Sequence, residues 1–410
     1  MKKAILTLTM IAAIAAGYTY HGAFLLDGPI MPSGAASGMG GLTVLPPEEP
    51  AAAIWAPANI PSDGLHIALD MGLVNAGEER SLPLFDSFED RIGWTPYVNT
   101  TETYPDFAGF VSYGFDKQWV PSIAAGYAKI YDANYLYREQ LRQREDPGAD
   151  RLIGVWSIDS EGALAGPAFA LREDIMGYAS VGVSMTMLSG TIEMHRSPAA
   201  SDSIVHNAEP WEAVFDDDTI YSAELSGTMI SISAVAKPTE RWQIGLRYTP
   251  SVDLGESKYP DMLPSRLGIA VGFRPPGYVV SRMVVEFEMV GYSALAEKDS
   301  AFAQLDDSWE FRIGLEHMLP RNVPLRIGAY YKKIPLIDPV ARTGFTLGSG
   351  FSFENVNVDL FGAYQMSTYN HHDQFPESWL PSSYSTANRE DYDRVYESLL
   401  TGGITVEVEL

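Results

Sequence analysis

The densest group of side chains with ligand chemistry is His371-His372-Asp373, two imidazoles and a carboxylate in a row. Such a trio could take a divalent cation, but a metal site needs donors that converge from several positions, and adjacency alone does not provide that. Within the acidic, Ser- and Tyr-rich stretch Ser367–Leu400 it reads as part of a solvated loop. Asp216-Asp217-Asp218 could hold Ca²⁺ or counter-ions at a lipopolysaccharide surface, and a plain acidic loop is the preferred reading. The seven histidines (His21, His66, His195, His206, His317, His371, His372) are scattered, and none stands in a nucleophile-elbow or metalloprotease motif. His317 continues an apolar strand face, where packing is expected rather than proton transfer. Gly38-Met39-Gly40 has the glycines of a dinucleotide loop, but no strand precedes it and prolines stand where the helix would be. With no cysteine in 410 residues, thiol nucleophiles, thiolate metal sites and disulfides are excluded. No catalytic residue, metal or cofactor is expected, and the chain does not read as an enzyme.

The elements that carry these residues follow from composition and period. Met1-Lys2-Lys3, the apolar run Ala4–Ala16 and the small residues Ala15, Ala16 and Gly17 form a secretory signal pattern, so residues 1–17 are expected to be removed on export. The balance of 53 acids against 28 bases, net charge −25, excludes a nucleic-acid partner, which would require a basic footprint. It does not exclude a membrane, because acids can occupy loops and a lumen. Beyond the signal no run of 18 apolar residues exists, so no transmembrane helix is expected. Aromatics are abundant, with 22 Tyr and 8 Trp.

Alternation is the decisive pattern. In Trp309-Glu310-Phe311-Arg312-Ile313-Gly314-Leu315-Glu316 large apolar residues alternate with charged residues or Gly, and Trp242–Tyr248, Phe345–Phe353 and Ile404–Leu410 repeat this period of two. A strand puts successive side chains on opposite faces, so these are two-faced strands. Many runs exceed the 5–6 residues usual in soluble sheets. The apolar faces end in Trp, Tyr or Phe, as interfacial girdles do, and the Arg, Glu, Gln and Gly of the other face suit a wet lumen. Fourteen candidate strands result, among them Gly64–Val74, Asp106–Phe115, Ser122–Tyr137, Arg151–Ile158, Ile175–Ser189 and Gly402–Leu410. Short turns such as Glu354-Asn355 alternate with long polar stretches. The expected fold is all-β: a transmembrane antiparallel β-barrel of about 14 strands in the bacterial outer membrane, in contact with its lipid and lipopolysaccharide.

Lys237–Pro250 (KPTERWQIGLRYTP), Leu263–Pro275 (LPSRLGIAVGFRP), Asp306–Leu336, with its two Arg-Ile-Gly steps, and Phe345–Gln365 follow one another in an order that resembles the FadL-type outer-membrane transporters. The match covers the ends and second half well, and Thr100–Pro210 poorly. In that family a Gly-rich N-terminal stretch leads to an Asn-Pro-Ala motif before the first strand. Here Gly38, Gly40 and Gly41 precede Trp55-Ala56-Pro57-Ala58, so the family's Asn is Ala56, with Asn59 three residues later. The resemblance implies a barrel, residues 64–410, closed by an N-terminal hatch or plug, residues 18–63, and passing hydrophobic molecules such as long-chain fatty acids or hydrocarbons. PorV-like outer-membrane proteins of protein secretion share this broad architecture, and for them the barrel is a platform for protein partners.

The stretch Gly38–Pro61 is apolar and broken by Pro46, Pro47, Pro50 and Pro57, so it fits neither a long helix nor a strand. Irregular backbone is tolerated at membrane depth only where protein buries it or water lines it, and a lumen supplies both; Ile54 and Trp55 would then face an apolar pocket. For ligand contact the best surface is Tyr131, Tyr135, Leu136, Tyr137, Leu141 and Trp156, with Ile153 and Val155, in or beside an extracellular loop. Tyr137 and Leu141 would share a face if Asn134–Arg144 were a short helix. A hydrophobic ligand and packing of the loop against the barrel rim would both use such a surface.

Overall fold

The computed structural model describes residues 33–410 except 89, 116–119, 146–148, 201–217, 256–260, 278–279, 299–304, 336–339 and 376–391. The expected signal peptide, residues 18–32 of the expected plug, and Asp216-Asp217 lie outside the described residues.

Alternation builds one continuous wall. Its strands are β1 (Gly64–Phe85), β2 (Arg91–Gly114), β3 (Ser122–Asp132), β4 (Tyr135–Glu145), β5 (Ala149–Ile175), β6 (Ala179–Ala200), β7 (Thr219–Ala236) and β8 (Trp242–Thr249). A two-residue pair, β9 (Val252–Asp253) and β10 (Met262–Leu263), stands apart from the wall. The wall continues with β11 (Ser265–Phe273), β12 (Ser281–Gly291), β13 (Ser308–Leu319), β14 (Val323–Lys333), β15 (Ala341–Phe353), β16 (Val356–His372) and β17 (Tyr392–Glu409). Each pairs antiparallel with its neighbours, β1 pairs with β17, and β3 pairs with both β2 and β5, which closes the ring. Because β3 and β4 pair with successive stretches of β5, they are two pieces of one wall strand broken at Ala133-Asn134. The 15 hydrogen-bonded segments therefore make a closed 14-strand barrel.

The faces separate as the alternation requires. On β13, Trp309, Phe311, Ile313 and Leu315 are exposed on the outside while Glu310 and Arg312 are buried inside. The outer belt continues with Leu246 and Tyr248 on β8, Phe287 on β12 and Phe345 on β15. Leu65, at the start of β1, and Leu410 exchange main-chain hydrogen bonds at one rim, and at that rim lie the tight turns at residues 176–178, 320–322 and 354–355. Glu354, at φ 52, takes the left-handed backbone that this two-residue connection needs. The longer connections leave from the opposite rim; their described parts include 292–298, 305–307 and 373–375. Short turns mark the periplasmic side of such a barrel and long loops the extracellular side.

Several boundaries differ from the sequence reading. β1, β2, β6 and β17 run well past Val74, Asp106, Ser189 and Gly402, because the charged and Thr-rich ends of these strands rise above the apolar belt and lose its clean alternation. For the same reason His371 and His372 end β16 instead of sitting in a loop, and Tyr392–Leu400 belongs to β17. Asn134–Arg144 is no helix: Tyr135–Glu145 is strand β4. Tyr137 and Leu141 still share a face, because a separation of four is also even in a strand.

Candidate functional site in the barrel lumen

The wall's inner face is not wet. Glu286, Glu288, Glu310, Arg247, Arg266, Arg312 and Lys332 all point inward and are all buried, which corrects the expectation of a water-lined polar face. What covers them is the N-terminal segment. Glu286 of β12 accepts the main-chain N–H groups of Thr43 (3.0 Å), Val44 (3.0 Å) and Leu45 (2.7 Å). Arg247 donates to Thr43 O at 3.1 Å, and Arg312 donates to the Thr43 hydroxyl at 3.2 Å. Behind this contact Glu288 pairs with Arg247, Arg266 (3.2 Å) and Arg312 (3.0 Å), and Glu310 pairs with Arg312 and Lys332 (2.9 Å). Charges this dry persist only as a mutually compensating set; removing one partner from a buried pair costs about 3–5 kcal/mol.

Anchors recur around the ring. Gly34 N–H donates to Thr405 on β17, and Thr346 on β15 accepts from Gly40 N–H and donates to Gly38 O. Ser180 and Ser184 on β6 donate to Ala58 O and Ile54 O, and Ser231 on β7 donates to Trp55 O. Arg282 donates to Leu45 O and Pro46 O, and Asn59 Nδ2 donates to Pro46 O at 3.2 Å, tying the segment to itself. A short helix at Gly34–Gly38, another at Ala52–Trp55 and a 3₁₀ turn at Pro57–Asn59 are the segment's regular structure. Its main chain rests on inward-facing glycines of the wall. A Cβ at Gly314 would come within 2.5 Å of Met39 O, and one at Gly328 would overlap the Gly40 amide. These are the glycines of the two Arg-Ile-Gly steps: Ile faces lipid, Arg joins inward-facing ion pairs, and Gly makes room for the segment.

The other part of the lumen holds an apolar and aromatic cluster with a few buried charged groups at its edge. Ile54, Trp55 and Ile60 join Phe110, Tyr131, Tyr135, Tyr137, Leu141, Trp156, Leu164, Leu188 and Leu225 in one buried cluster built from β2 to β7. Trp156 meets Phe375 edge-on at 5.8 Å between centroids. The tyrosines are held by their polar tips. Tyr135 donates to Glu78 at 3.1 Å, Tyr137 donates to Glu139 at 3.0 Å, and the Arg80 guanidinium lies 5.3 Å from the Tyr137 ring centroid. Their rings are thereby fixed against the cluster.

One seam interrupts the wall beside this cluster. β2 pairs with β1 from Gly114 to Arg91, but with β3 only over Gly109–Tyr113. Beyond Gly109 toward the loop rim, β3 and β4 pair with β5 and, among the described residues, β2 has no ladder partner on that edge. Pro105, which lacks an N–H, sits on this edge, where a strand tolerates it. Lys129 of β3 spans the gap, with Nζ 3.5 Å from Pro105 O, 3.6 Å from Asp106 and 2.5 Å from Asp132.

Comparison with solved structures fits this geometry. The chain superposes on a Pseudomonas aeruginosa FadL homologue with TM-score 0.60 and 11% identity, covering 92% of this chain and 98% of that one. The Pseudomonas putida toluene transporter TodX gives TM-score 0.62 at 11% identity, with 92% and 98% covered. The Ralstonia pickettii toluene transporter TbuX gives 0.56 at 13%, with 92% and 98% covered. The fold is that of the FadL-type barrels. No family model and no curated protein matches the sequence. The closed 14-strand barrel with its outward apolar belt is that of a bacterial outer-membrane β-barrel.

Within this FadL-type barrel the structure brings the residues singled out by sequence together on one segment and one wall. Gly38, Gly40, Gly41, Ile54, Trp55, Ala56, Pro57, Ala58 and Asn59 all lie in the lumen-filling segment. Ala56 has no polar side chain to offer there, and the bond to loop backbone is made by Asn59. Tyr131, Tyr135, Tyr137, Leu141 and Trp156 line the apolar cluster, whereas Leu136 falls between Tyr135 and Tyr137 on the opposite face. His371, His372 and Asp373 form no metal-binding group, and none of three or more donors exists among the described residues. The sequence reading missed the buried charge set around Glu286 and Glu288. Its signal was Glu-Phe-Glu at 286–288 facing Glu-Phe-Arg at 310–312, acids too dense for an ordinary strand face.

Proposed function

We propose that this protein is an outer-membrane channel that takes up hydrophobic molecules, hydrocarbons or long-chain fatty acids, through a barrel plugged by residues 18–63. The observation that carries the reading is the division of the lumen. One part is filled by a polar-anchored segment, and the other by a buried apolar and aromatic cluster beside a break in the wall. A water-filled pore gives a greasy solute nothing, while an apolar pocket with a few placed polar groups extracts it from a dilute phase. Tyr135, Tyr137, Leu141 and Trp156 receive the solute, Ile54 and Trp55 form the floor that stops it, and the β2–β3 seam offers a way sideways into lipid. Two of the solved structures it resembles are toluene transporters, and toluene is itself a small hydrophobic molecule.

The test is binding and uptake with the full-length barrel. Radiolabelled palmitate and hexadecane should bind the purified protein, and Ala168→Trp, which fills the apolar lining from β5, should abolish binding while leaving the barrel folded. Absence of binding, together with a large protein co-purifying in equal amount, would overturn the reading in favour of a PorV-like secretion platform.

A further inference from the structure

An apolar hollow outside the lumen lies on the other side of the same wall. Two cross-strand rows define it: Val111, Ala125, Phe169 and Met185, and beside it Tyr113, Ile123, Leu171 and Val183. These side chains point out of the barrel, whereas Ser112, Ala124, Ala170 and Ser184, which form the floor, belong to the buried inner face. The hollow is open on its outer side and offers about 470 Å³, within the range of ligand pockets. It exists because Ala125 supplies one methyl where its neighbours on the belt supply whole side chains. Along β3 the rims are Ile123 and Tyr127, and across the sheet they are Val111 and Phe169.

Its height in the membrane selects the occupant. Tyr113 precedes the end of β2 by one residue and packs edge-on against Phe115 at 4.7 Å, and Tyr178 is 72% exposed in the β5–β6 turn. Aromatic residues of this kind mark the level of the headgroups, here those of the periplasmic leaflet. We propose that the hollow holds one acyl chain of a periplasmic-leaflet phospholipid, its headgroup at the level of Tyr113 and Tyr178. Lipid already surrounds this face, so burial from water contributes nothing and the preference comes from contact alone. A second barrel would span the rims and leave the floor untouched. A thin, jointed chain follows the depression and gains the dispersion contacts that a void would forfeit. The site is separate from the lumen and does not depend on what the lumen carries.

The test uses full-length protein extracted from membranes of defined phospholipid, exchanged into detergent and weighed intact by native mass spectrometry. Wild-type barrels are expected to retain one phospholipid. Ala125→Phe fills the hollow and Phe169→Ala removes its rim, and each should lower the retained fraction about tenfold, the scale of losing about ten close carbon–carbon contacts. Val271→Phe, on the lipid face of β11, should retain it as wild type does; Phe169→Ala decides the matter if Ala125→Phe fails to fold. Equal retention in all four proteins would overturn the proposal. So would displacement of the phospholipid by added hexadecane alone, which marks a solute site, or a dimer that dissociates on Ala125→Phe, which marks a contact between copies.

Discussion

The carboxylate of Glu286, on β12, accepts the main-chain N–H of Leu45 at 2.7 Å, and the same side chain holds the amides of Thr43 and Val44. One wall residue thus satisfies three donors of a segment with almost no regular structure of its own. Buried main-chain amides without partners are costly, so this contact decides whether the segment can lie in the lumen at all. Glu286→Ala leaves three amides unpaired, at about 1–3 kcal/mol each. The expected outcome is a folded barrel whose N-terminal segment is cut by protease and whose planar-bilayer conductance rises. Unchanged proteolysis and conductance would show that the segment is held elsewhere.

The glycine seats make a sharper steric prediction. Gly328→Val places a side chain where the Gly40 amide lies, so it must displace the segment, at about 1–3 kcal/mol for an overpacked site. Gly362→Ala is the control, since its Cβ would find no atom nearer than 4.0 Å. Thermal unfolding and protease protection should change for the first and not for the second.

How much of this was legible beforehand follows from physics. Period-two alternation is imposed by the lipid face, so the bounds of the strands inside the belt, β8 and β11 to β15, are readable to within three residues. Ends above the belt answer to water and to neighbouring loops, so β2 could be read only from Asp106, next to Pro105. The lumen-filling segment is legible as apolar sequence that suits no regular element. Its anchors are not, because Glu286 and Arg247 look the same in sequence whether they face water or a buried amide. Leu136 was grouped with Tyr135 and Tyr137 because composition ignores which face a residue takes.

Glu49 gives the segment a pH dependence. Its carboxyl is buried, and burial pushes it well above the usual carboxylate value of 4.5, with Asp70, Asp359 and Glu407 adding repulsion. A raised folded value means the neutral form is the stable one in place. The stabilising contribution is therefore fully present below pH 4.5 and is lost as pH rises through the raised value. Glu49→Gln should protect the segment from protease more than wild type at pH 8, and the two proteins should converge at pH 4. A constant difference at both pH values would contradict this.

Lys129 holds the seam. Replacing it by Met leaves Asp106 and Asp132 facing each other across the gap without their cation. A partly buried pair of this kind contributes about 1 kcal/mol, or about fivefold in an opening rate. Amide hydrogen exchange of Ala108 and Gly109 should quicken by that factor in Lys129→Met and return in Lys129→Arg. Equal exchange in all three would remove Lys129 from any gating role.

The central claim is that the lumen passes apolar solutes and excludes polar ones. Permeation into liposomes carrying the full-length barrel tests it directly, with palmitate or hexadecane compared against glucose and K⁺. The account predicts protein-dependent entry of the apolar solutes, abolished by Ala168→Trp, with glucose and K⁺ held out while the segment is seated. Free passage of glucose and K⁺ through the wild-type barrel, with no protein-dependent entry of either apolar solute, would contradict it.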